Sequence, residues 1–302
     1  MKTNKVIAFI LLAVLFAGCS KDNDSAAPFN AGRIKLFAEQ MTNAGNNSKL
    51  LMDPIGLTSQ WLIGEQININ GSAYSIVQEG SNYYLGGSTA TLEAPLYAIY
   101  PATIKDALGN DIVVTNGSDG ACAIDIHSLA VNFTGDGNHE VIFPMAALYT
   151  TDSSGLMFRH LTGGLKFTLS NTAAHAVDRL VITATQDGGS PAIYKDLKPA
   201  WAGNQLPGIP GGEVGEETGD QGAQFISTMT LRMNSNGTAG VTIPANGSIT
   251  FCVPMLALQL KTLTITGYDA DDNVVIPTRS KTITPTNIER NKMYTIPVIE
   301  IN

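Results

Sequence analysis

Residues 165–170 read LKFTLS, and their side chains alternate strictly between apolar and polar. Leu165, Phe167 and Leu169 would share one face of an extended strand, and the polar residues between them would share the other. A period of two residues is typical of a strand with one buried face. The same alternation recurs in QININ, LYAIYPA, RLVITA, MTLRM, SITFCVP and LKTLTITG.

Turn signals separate these runs. They are Asn70-Gly71, Asp187-Gly188-Gly189, Asn236-Gly237, Asn246-Gly247 and Asp271-Asp272-Asn273. No long segment shows a convincing helical stripe. Many short strands between turns predict an all-β protein.

The polar stretch TTDSSG, residues 150–155, lies between two strand-rich halves. We therefore predict two sandwiches of antiparallel strands in tandem, over residues 31–153 and 154–302. The Gly- and Pro-rich residues 206–222 are expected to form a long loop in the second sandwich. The expected core residues are Trp61, Ile67, Ile69, Tyr97 and Ile99 in the first sandwich, and Leu165, Phe167, Leu180, Ile182, Phe251, Leu263 and Ile265 in the second.

The beginning of the chain has the features of an export signal. Lys2 and Lys5 precede an apolar run from Val6 to Gly18. This run is too short for a permanent membrane span, which needs about 20 residues, and it has the length of a signal-peptide core. We predict that residues 1–18 are a signal peptide.

Cys19 stands where the apolar run stops, and the residues LFAGC look like a lipobox. In that motif the cysteine thiol accepts a diacylglycerol and becomes the new N-terminus. We predict a lipidated polar tether over residues 19–30, which holds the protein at a membrane through its acyl chains. An ordinary secretory signal with an incidental cysteine, or an N-terminal anchor helix, are the alternatives.

The composition limits the partners and the redox chemistry. The formal net charge is −8, which argues against nucleic acid and against an anionic membrane face. Only 15% of the residues are charged, as in β-rich exported proteins. Cys122 and Cys252 remain after lipidation of Cys19. Both fall in predicted strands of different sandwiches, so buried free thiols are expected rather than a disulfide.

No catalytic motif is visible. The chain lacks G-x-S-x-G, H-E-x-x-H, G-x-G-x-x-G and a phosphate-binding P-loop. DADDN, residues 269–273, resembles the start of a calcium loop but lacks its glycine and distal glutamate, so a hairpin turn is the better interpretation. The histidines are not spaced as metal ligands on one helix; they are His127, His139, His160 and His175. We predict no enzyme activity, no metal and no cofactor.

Four stretches, in chain order, resemble the fimbrillin family of surface lipoproteins. TSQWLIGEQ is similar to its tryptophan followed by a Gly-acid pair, and LEAPLYAIYPA is similar to its strand ending in Tyr-Pro-Ala. LMFRHLTGGLKF is similar to its F-x-H-x-x-x-x-L-x-F stretch, and NIERNKMYTI to its closing strand. The resemblance runs from about residue 30 to residue 302, which is nearly all of the mature chain.

The resemblance implies two transthyretin-like sandwiches and a stalk, tip or anchor subunit of type V fimbriae. It implies export as a lipoprotein, a surface-exposed place on the outer membrane, and other fimbrial subunits as partners. A trypsin-like protease would cut near the N-terminus. Arg33 is the candidate site, and Lys35 and Lys49 are rivals. Ser25 in DSA is a candidate for O-glycosylation.

In the mechanism that the resemblance implies, the cut removes the first strand and a neighbouring subunit's strand fills the groove. We expect the cut at Arg33 to open that groove. The C-terminal run KMYTIPVIEIN suits a donor, since Pro297 lacks an N–H and is tolerated mainly on an edge strand. The candidate donor residues are Met293, Tyr294, Ile296, Pro297, Val298, Ile299 and Ile301. Alternatively, this run merely closes its own domain.

A second hypothesis is a surface lipoprotein that binds a glycan and does not polymerise. Tyr83, Tyr84 and Trp201 could then contact a host or bacterial glycan. Packing within a strand or loop is the competing interpretation of all three.

Overall fold

The structure is a computed structural model. It describes residues 34–39, 41–43, 61, 63–87, 92–105, 108, 110–113, 115–116, 122–133, 139–149, 155–194, 196–197 and 225–301. This part of the chain consists of strands, turns and one 3₁₀ turn (Asp187–Gly189), with no α-helix. The predicted all-β class is therefore confirmed.

The strands are β1 (Lys35–Ala38), β2 (Thr42–Asn43), β3 (Gln66–Ile69), β4 (Ser72–Glu79), β5 (Asn82–Leu85), β6 (Leu96–Tyr100), β7 (Thr103–Lys105), β8 (Asp111–Val113), β9 (Thr115–Asn116), β10 (Cys122–Asp125), β11 (Ser128–Phe133), β12 (His139–Glu140), β13 (Met145–Tyr149), β14 (Leu156–His160), β15 (Gly163–Ser170), β16 (His175–Val177), β17 (Arg179–Thr185), β18 (Ile193–Tyr194), β19 (Asp196–Leu197), β20 (Phe225–Ile226), β21 (Thr228–Ser235), β22 (Thr238–Ala239), β23 (Val241–Ile243), β24 (Ser248–Met255), β25 (Ala257–Tyr268), β26 (Val274–Ile288), β27 (Lys292–Thr295) and β28 (Ile299–Glu300).

Two of the predicted turns have the backbone that their residues favour. Asn70 and Gly71 join β3 to β4 with φ of 48° and 90°, and Asn236 and Gly237 join β21 to β22 with φ of 49° and 76°. Positive φ at both central residues is the geometry of a tight hairpin turn, and Asn-Gly adopts it at low cost.

Six strands of the N-terminal half and β14 build a closed sheet in the order β1-β14-β13-β6-β3-β4-β5. Its core contains Trp61, whose ring meets those of Tyr100 and Phe158 edge-on, with centroids 5.1 Å apart in both cases. This arrangement suits aromatic quadrupoles. The tryptophan that the sequence motif contains therefore lies at the centre of this core.

A second, larger core lies between a nine-stranded and a five-stranded sheet. Phe167 on β15 stacks on Phe251 on β24, with ring centroids 5.6 Å apart. All the residues predicted for the second core are buried there. They are Leu165, Phe167, Leu180, Ile182, Phe251, Leu263 and Ile265.

The first predicted core needs two corrections. Trp61, Ile67 and Ile69 are buried in the closed sheet, but Tyr97 is only half-buried and Ile99 packs in the larger core. The reason is that β6 lies between the two cores. Alternate residues of β6 face the closed sheet, so Ile99 on the opposite face reaches the other core.

The sheets do not follow the predicted division at residues 153 and 154. β14 belongs to the closed sheet, while β11 pairs with β21 in the nine-stranded sheet. The polar stretch at mid-chain marks a connection between strands, and neither the partner of a strand nor its direction can be read from alternation alone.

Among the described residues five strand pairings are parallel, in contrast to the antiparallel sandwiches predicted from sequence. They join β1 to β14, β2 to β27, β11 to β21, β15 to β27 and β15 to β28. The transthyretin-like arrangement implied by the resemblance stays a prediction.

Phe158→Ala should lower the unfolding free energy by about 3–5 kcal/mol, because it removes a fully buried ring that packs on Trp61. Met157→Ala is the matched control: its side chain is 42% exposed, so the expected cost is about 0.5 kcal/mol. Chemical denaturation of both variants measures the difference. Equal losses would contradict the core assignment.

Candidate assembly site at the N-terminal strand

The three candidate modification sites lie outside the described residues. They are Cys19 for lipidation, Ser25 for O-glycosylation and Arg33 for proteolysis.

Residues 34–43, which we call the N-terminal arm, complete two different sheets. Strand β1 lies between β14, to which it is parallel, and β5, to which it is antiparallel. Strand β2 continues along β27 as its parallel neighbour. Ile34 and Leu36 bury their side chains in the core of the closed sheet. The arm therefore closes the first sheet and covers one edge of the second.

Glu39 fixes the arm between these two strands. Its N–H donates to the carbonyl of Phe158 at 2.8 Å, and its Oε2 accepts from the N–H of His160 at 3.2 Å. The same oxygen accepts from Nη1 of Arg290 at 2.6 Å. The side chains of Glu39 and Arg290 are only 23% and 21% exposed. Hydrogen bonds to charged groups of this kind contribute about 1.5–3 kcal/mol each.

The His160 ring lies buried beside this ion pair, edge-on to Phe143 with centroids 6.2 Å apart. Burial lowers the pKa of His160 to about 4, the backbone hydrogen bond to Glu39 opposes this shift, and the charge of Arg290 adds to it. The imidazole is therefore neutral at physiological pH.

A small apolar patch holds the second half of the arm. Met41 packs with Phe143, Cys252 and Met293, which come from three other parts of the chain. Cys252 is buried, as predicted, and burial raises the pKa of its thiol to about 12. The side chain of Cys122 lies outside the described residues.

Glycines let the backbones approach closely around the arm. A Cβ on Gly155 would lie 2.4 Å from the carbonyl oxygen of Lys35, and a Cβ on Gly163 would lie 2.2 Å from that of Glu289. Both contacts are with backbone, which cannot move aside as a side chain can. The Gly-Gly of HLTGGLKF thus gives room for the turn that carries Arg290.

The candidate donor run 292–301 is paired inside its own chain. β27 and β28 are parallel to β15, and Met293, Ile296, Ile299 and Ile301 are buried. Pro297 and Val298 are both exposed, so buried and exposed side chains do not alternate regularly along this run. Val298 is 50% exposed, and Tyr294 is half-buried.

The Gly-acid pair of the sequence motif also has a structural place. The hydroxyl of Tyr100, the last residue of β6, donates to Oε2 of Glu65, and burial followed by the charge of Glu65 raises the pKa of Tyr100. Tyr83 and Tyr84 of the glycan hypothesis are half-buried on β5, and Tyr83 packs against the core of the closed sheet. Trp201 lies outside the described residues.

Sequence reasoning missed Glu39 and Arg290 as a pair. They are 251 positions apart, and each alone reads as a solvent-facing charge beside a strand. Among the described residues there is no group of three or more His, Cys, Asp or Glu side chains that could hold a metal ion. The same residues contain no apolar helix of membrane-spanning length.

Comparison with known proteins gives structural neighbours only. No family model and no curated protein matches the chain. A protein of Bacteroides ovatus provisionally named a cell adhesion protein matches with 12% identity and a TM-score of 0.41, over 88% of this chain and 92% of that one. One of Bacteroides uniformis with the same provisional name has 13% identity and a TM-score of 0.37, over 89% and 93%.

A fimbrial protein of Bacteroides ovatus matches with 10% identity and a TM-score of 0.28, over 90% of this chain and 50% of that one. The names of these neighbours agree with the family that the sequence motifs resemble. At these identities and TM-scores the similarity carries no inference about function.

The unfolding free energy should fall as the pH drops from about 6.5 to about 4. The folded protein keeps His160 neutral down to about pH 4, whereas a histidine in the unfolded chain gains a proton near pH 6.5. Protonation therefore favours the unfolded chain across this window, by at most about 3 kcal/mol. Denaturation at several pH values measures the slope.

His160→Gln should remove this part of the pH dependence, because Gln cannot gain the proton. His127→Gln, at an exposed histidine away from the arm, is the matched control and should keep the wild-type slope. An unchanged slope in His160→Gln would contradict the buried neutral imidazole.

Proposed function

We propose that this protein is a structural or adhesive subunit of cell-surface fimbriae, assembled with other subunits by strand exchange. It is exported as a lipoprotein through Cys19 and reaches the outer surface of the outer membrane. Its place as stalk, tip or anchor depends on whether it is processed.

The observation that carries this proposal is the N-terminal arm. A short segment just after the tether completes two sheets through main-chain pairing, and it anchors itself with Ile34, Leu36 and Met41. Without the arm, β14 and β5 would each lose a pairing partner and an apolar groove would open. An unpaired strand edge with an apolar groove is what an added strand recognises.

The position of the proteolytic cut decides whether the arm is separated from the rest of the chain. A cut after Arg33 keeps the whole arm on the chain, so it does not by itself open the groove that was expected from the sequence. A cut after Lys49 would detach both arm strands, and a cut after Lys35 would split β1. Because only the cut after Lys49 releases the whole arm, we propose Lys49 rather than Arg33 as the cleavage site that opens the groove.

The C-terminal run remains a candidate donor, because β27 and β28 already have the extended backbone of strands. Its buried residues pack on its own domain, which supports the competing interpretation that it closes that domain. We also propose a host or bacterial surface glycan or protein as a further partner.

Cys19→Ser should abolish acylation and leave a soluble or unprocessed precursor, since the thiol is the lipid acceptor. Metabolic labelling with a fatty-acid analogue and membrane fractionation measure this. Cys252→Ser, at a buried thiol, is the matched control and should stay lipidated. Lipid on the Cys19→Ser protein would overturn the lipoprotein proposal.

Immuno-electron microscopy of cells, together with the N-terminal sequence of sheared protein, tests the fimbrial function. We expect filaments labelled by the antibody and a new N-terminus after Lys49 in polymerised material. A lipidated Cys19 in all of the protein, no filaments, and specific binding on a glycan array would instead support the glycan-binding lipoprotein.

A further inference from the structure

Two arginines lie directly opposite each other on the nine-stranded sheet. Arg179 on β17 is the cross-strand partner of Arg232 on β21. Each alternates along its strand with residues of the larger core, so both side chains stand on the face that points away from that core. Like charges directly opposite each other destabilise a sheet. The pair therefore costs stability within this chain, and packing of the core does not account for it.

Arg179 has partners within the chain. Its Nη2 donates to Oδ1 of Asp272 at 2.7 Å, and its guanidinium lies over the ring of Tyr268, 4.0 Å from the ring centroid. The side chain of Asp272 is 79% exposed, in the connection between β25 and β26. So exposed an ion pair contributes little stability. A carboxylate from outside the chain can therefore compete with Asp272 for Arg179.

The guanidinium of Arg232 lacks such partners. Its side chain is half-buried, and its Nε is shielded from solvent without a hydrogen-bond partner in the part of the chain that the structure describes. The group has thus lost hydration without gaining an acceptor, which is costly for a cation. Guanidinium groups bind carboxylates through two parallel N–H···O bonds. Arg232 therefore favours an external carboxylate placed beside Arg179.

An aromatic and an apolar side chain extend this row across the sheet. Tyr268 on β25 is the cross-strand partner of Arg179, and Val274 on β26 is that of Tyr268. The Val274 side chain is 56% exposed, and Tyr268 is half-buried. Four neighbouring strands contribute one residue each, so the row is roughly 14 Å long, the length of a short oligosaccharide. An aromatic ring and an apolar side chain suit the C–H surface of a sugar.

Hydroxyl groups line one side of the row. Two residues further along the strands lie Thr230 on β21 and Thr266 on β25, and Oγ1 of Thr266 is 2.9 Å from Oγ1 of Thr278 on β26. Hydroxyls both donate and accept hydrogen bonds, as sugar hydroxyls require. A peptide bound by main-chain pairing needs a strand edge, whereas these side chains stand on the face of the sheet. The surroundings therefore favour a sugar over a peptide.

We propose that this surface, the arginine row, binds a glycan whose sugars carry carboxylates, such as a chain of uronic acids. The arginine row consists of Arg232, Arg179, Tyr268 and Val274. The carboxylate binds between the two guanidinium groups, and a sugar ring lies against Tyr268 and Val274. A carboxylate is chosen over a sulfate ester because Asp272 already makes this contact with Arg179. The inference rests on the surface glycan of the proposed function and does not depend on strand exchange.

Calorimetric titration of the purified full chain in detergent with oligogalacturonate tests this site. The same oligosaccharide with its carboxyl groups reduced to alcohols is the matched ligand and should not bind measurably. R232A should weaken binding of oligogalacturonate at least about tenfold, which is about 1.4 kcal/mol. R232K should recover only part of this loss, because an ammonium cannot form the paired hydrogen bonds. Both variants should fold, since R232A removes a like-charge contact.

A second variant changes the affinity in the opposite direction. D272N should strengthen binding, because it removes the carboxylate that competes for Arg179. The controls are K261A and D187N, since Lys261 and Asp187 form an ion pair of 2.6 Å with side chains 31% and 75% exposed. This pair lies roughly 20 Å away along β25. Both control variants should bind oligogalacturonate as the wild type does.

The proposal is overturned if the reduced oligosaccharide binds equally well, or if R232A and D272N both keep the wild-type affinity. Tighter binding of a sulfated oligosaccharide or of oligoglutamate would also overturn the choice of a carboxylated glycan. These titrations can fail while fimbriae are seen on cells, or while a glycan array detects a neutral glycan. They can also succeed if no fimbriae are found, so the arginine row and the proposed function are tested separately.

Discussion

Closure of the seven-stranded sheet depends on the short strand β1. A closed sheet has no edge, and here the last gap is filled by the main chain of Lys35–Ala38 lying between β14 and β5. Each N–H and C=O that this strand pairs would otherwise need water or another partner. The side chains of Ile34 and Leu36 also cover the core that contains Trp61, so loss of the arm would expose backbone and apolar surface together.

The stretch from β14 to β15 explains why one sequence motif spans two parts of the molecule. Phe158 packs in the closed sheet, and Phe167, nine residues later, packs in the larger core. Between them lie His160, which contacts the arm, and Gly163, which admits the turn before β27. The segment from β14 to β15 thus contributes to both cores and contacts both the N-terminal arm and the turn before β27. Each position of the motif has its own role in the packing.

The local sequence pattern predicted the buried residues well wherever only one face of a strand is buried. The alternation in LKFTLS correctly predicted Leu165 and Phe167 as core, and Asn70-Gly71 and Asn236-Gly237 correctly marked hairpin turns. Apolar/polar alternation failed to predict the core correctly where both faces of a strand are buried, as at Ile99. In such a strand, alternation does not show which of the two cores a residue joins. It also could not reveal the parallel partners of β1 and β11, which depend on residues far away in sequence.

The contacts of the candidate site were the least predictable part of the structure, because they also depend on residues far apart in sequence. Glu39 and Arg290 become an ion pair only when the two ends of the chain meet, and no local spacing encodes that meeting. The predicted donor run was correctly read as strand, yet its neighbour on one side proved to be the arm itself. The resemblance pointed to the two ends of the chain, while the contacts between those ends emerge only from the fold.

The N-terminal arm and the C-terminal run therefore pack as one unit. β27 has β15 on one side and β2 on the other, and Met41 of the arm shares a patch with Met293 of β27. Removing the arm would turn β27 into an edge strand and uncover Met293, whereas the contacts of β27 and β28 with β15 would remain. Displacement of the arm thus changes the surroundings of the C-terminal strand before that strand moves. Any strand that replaced the arm would have to restore both the closed sheet and the cover of β27.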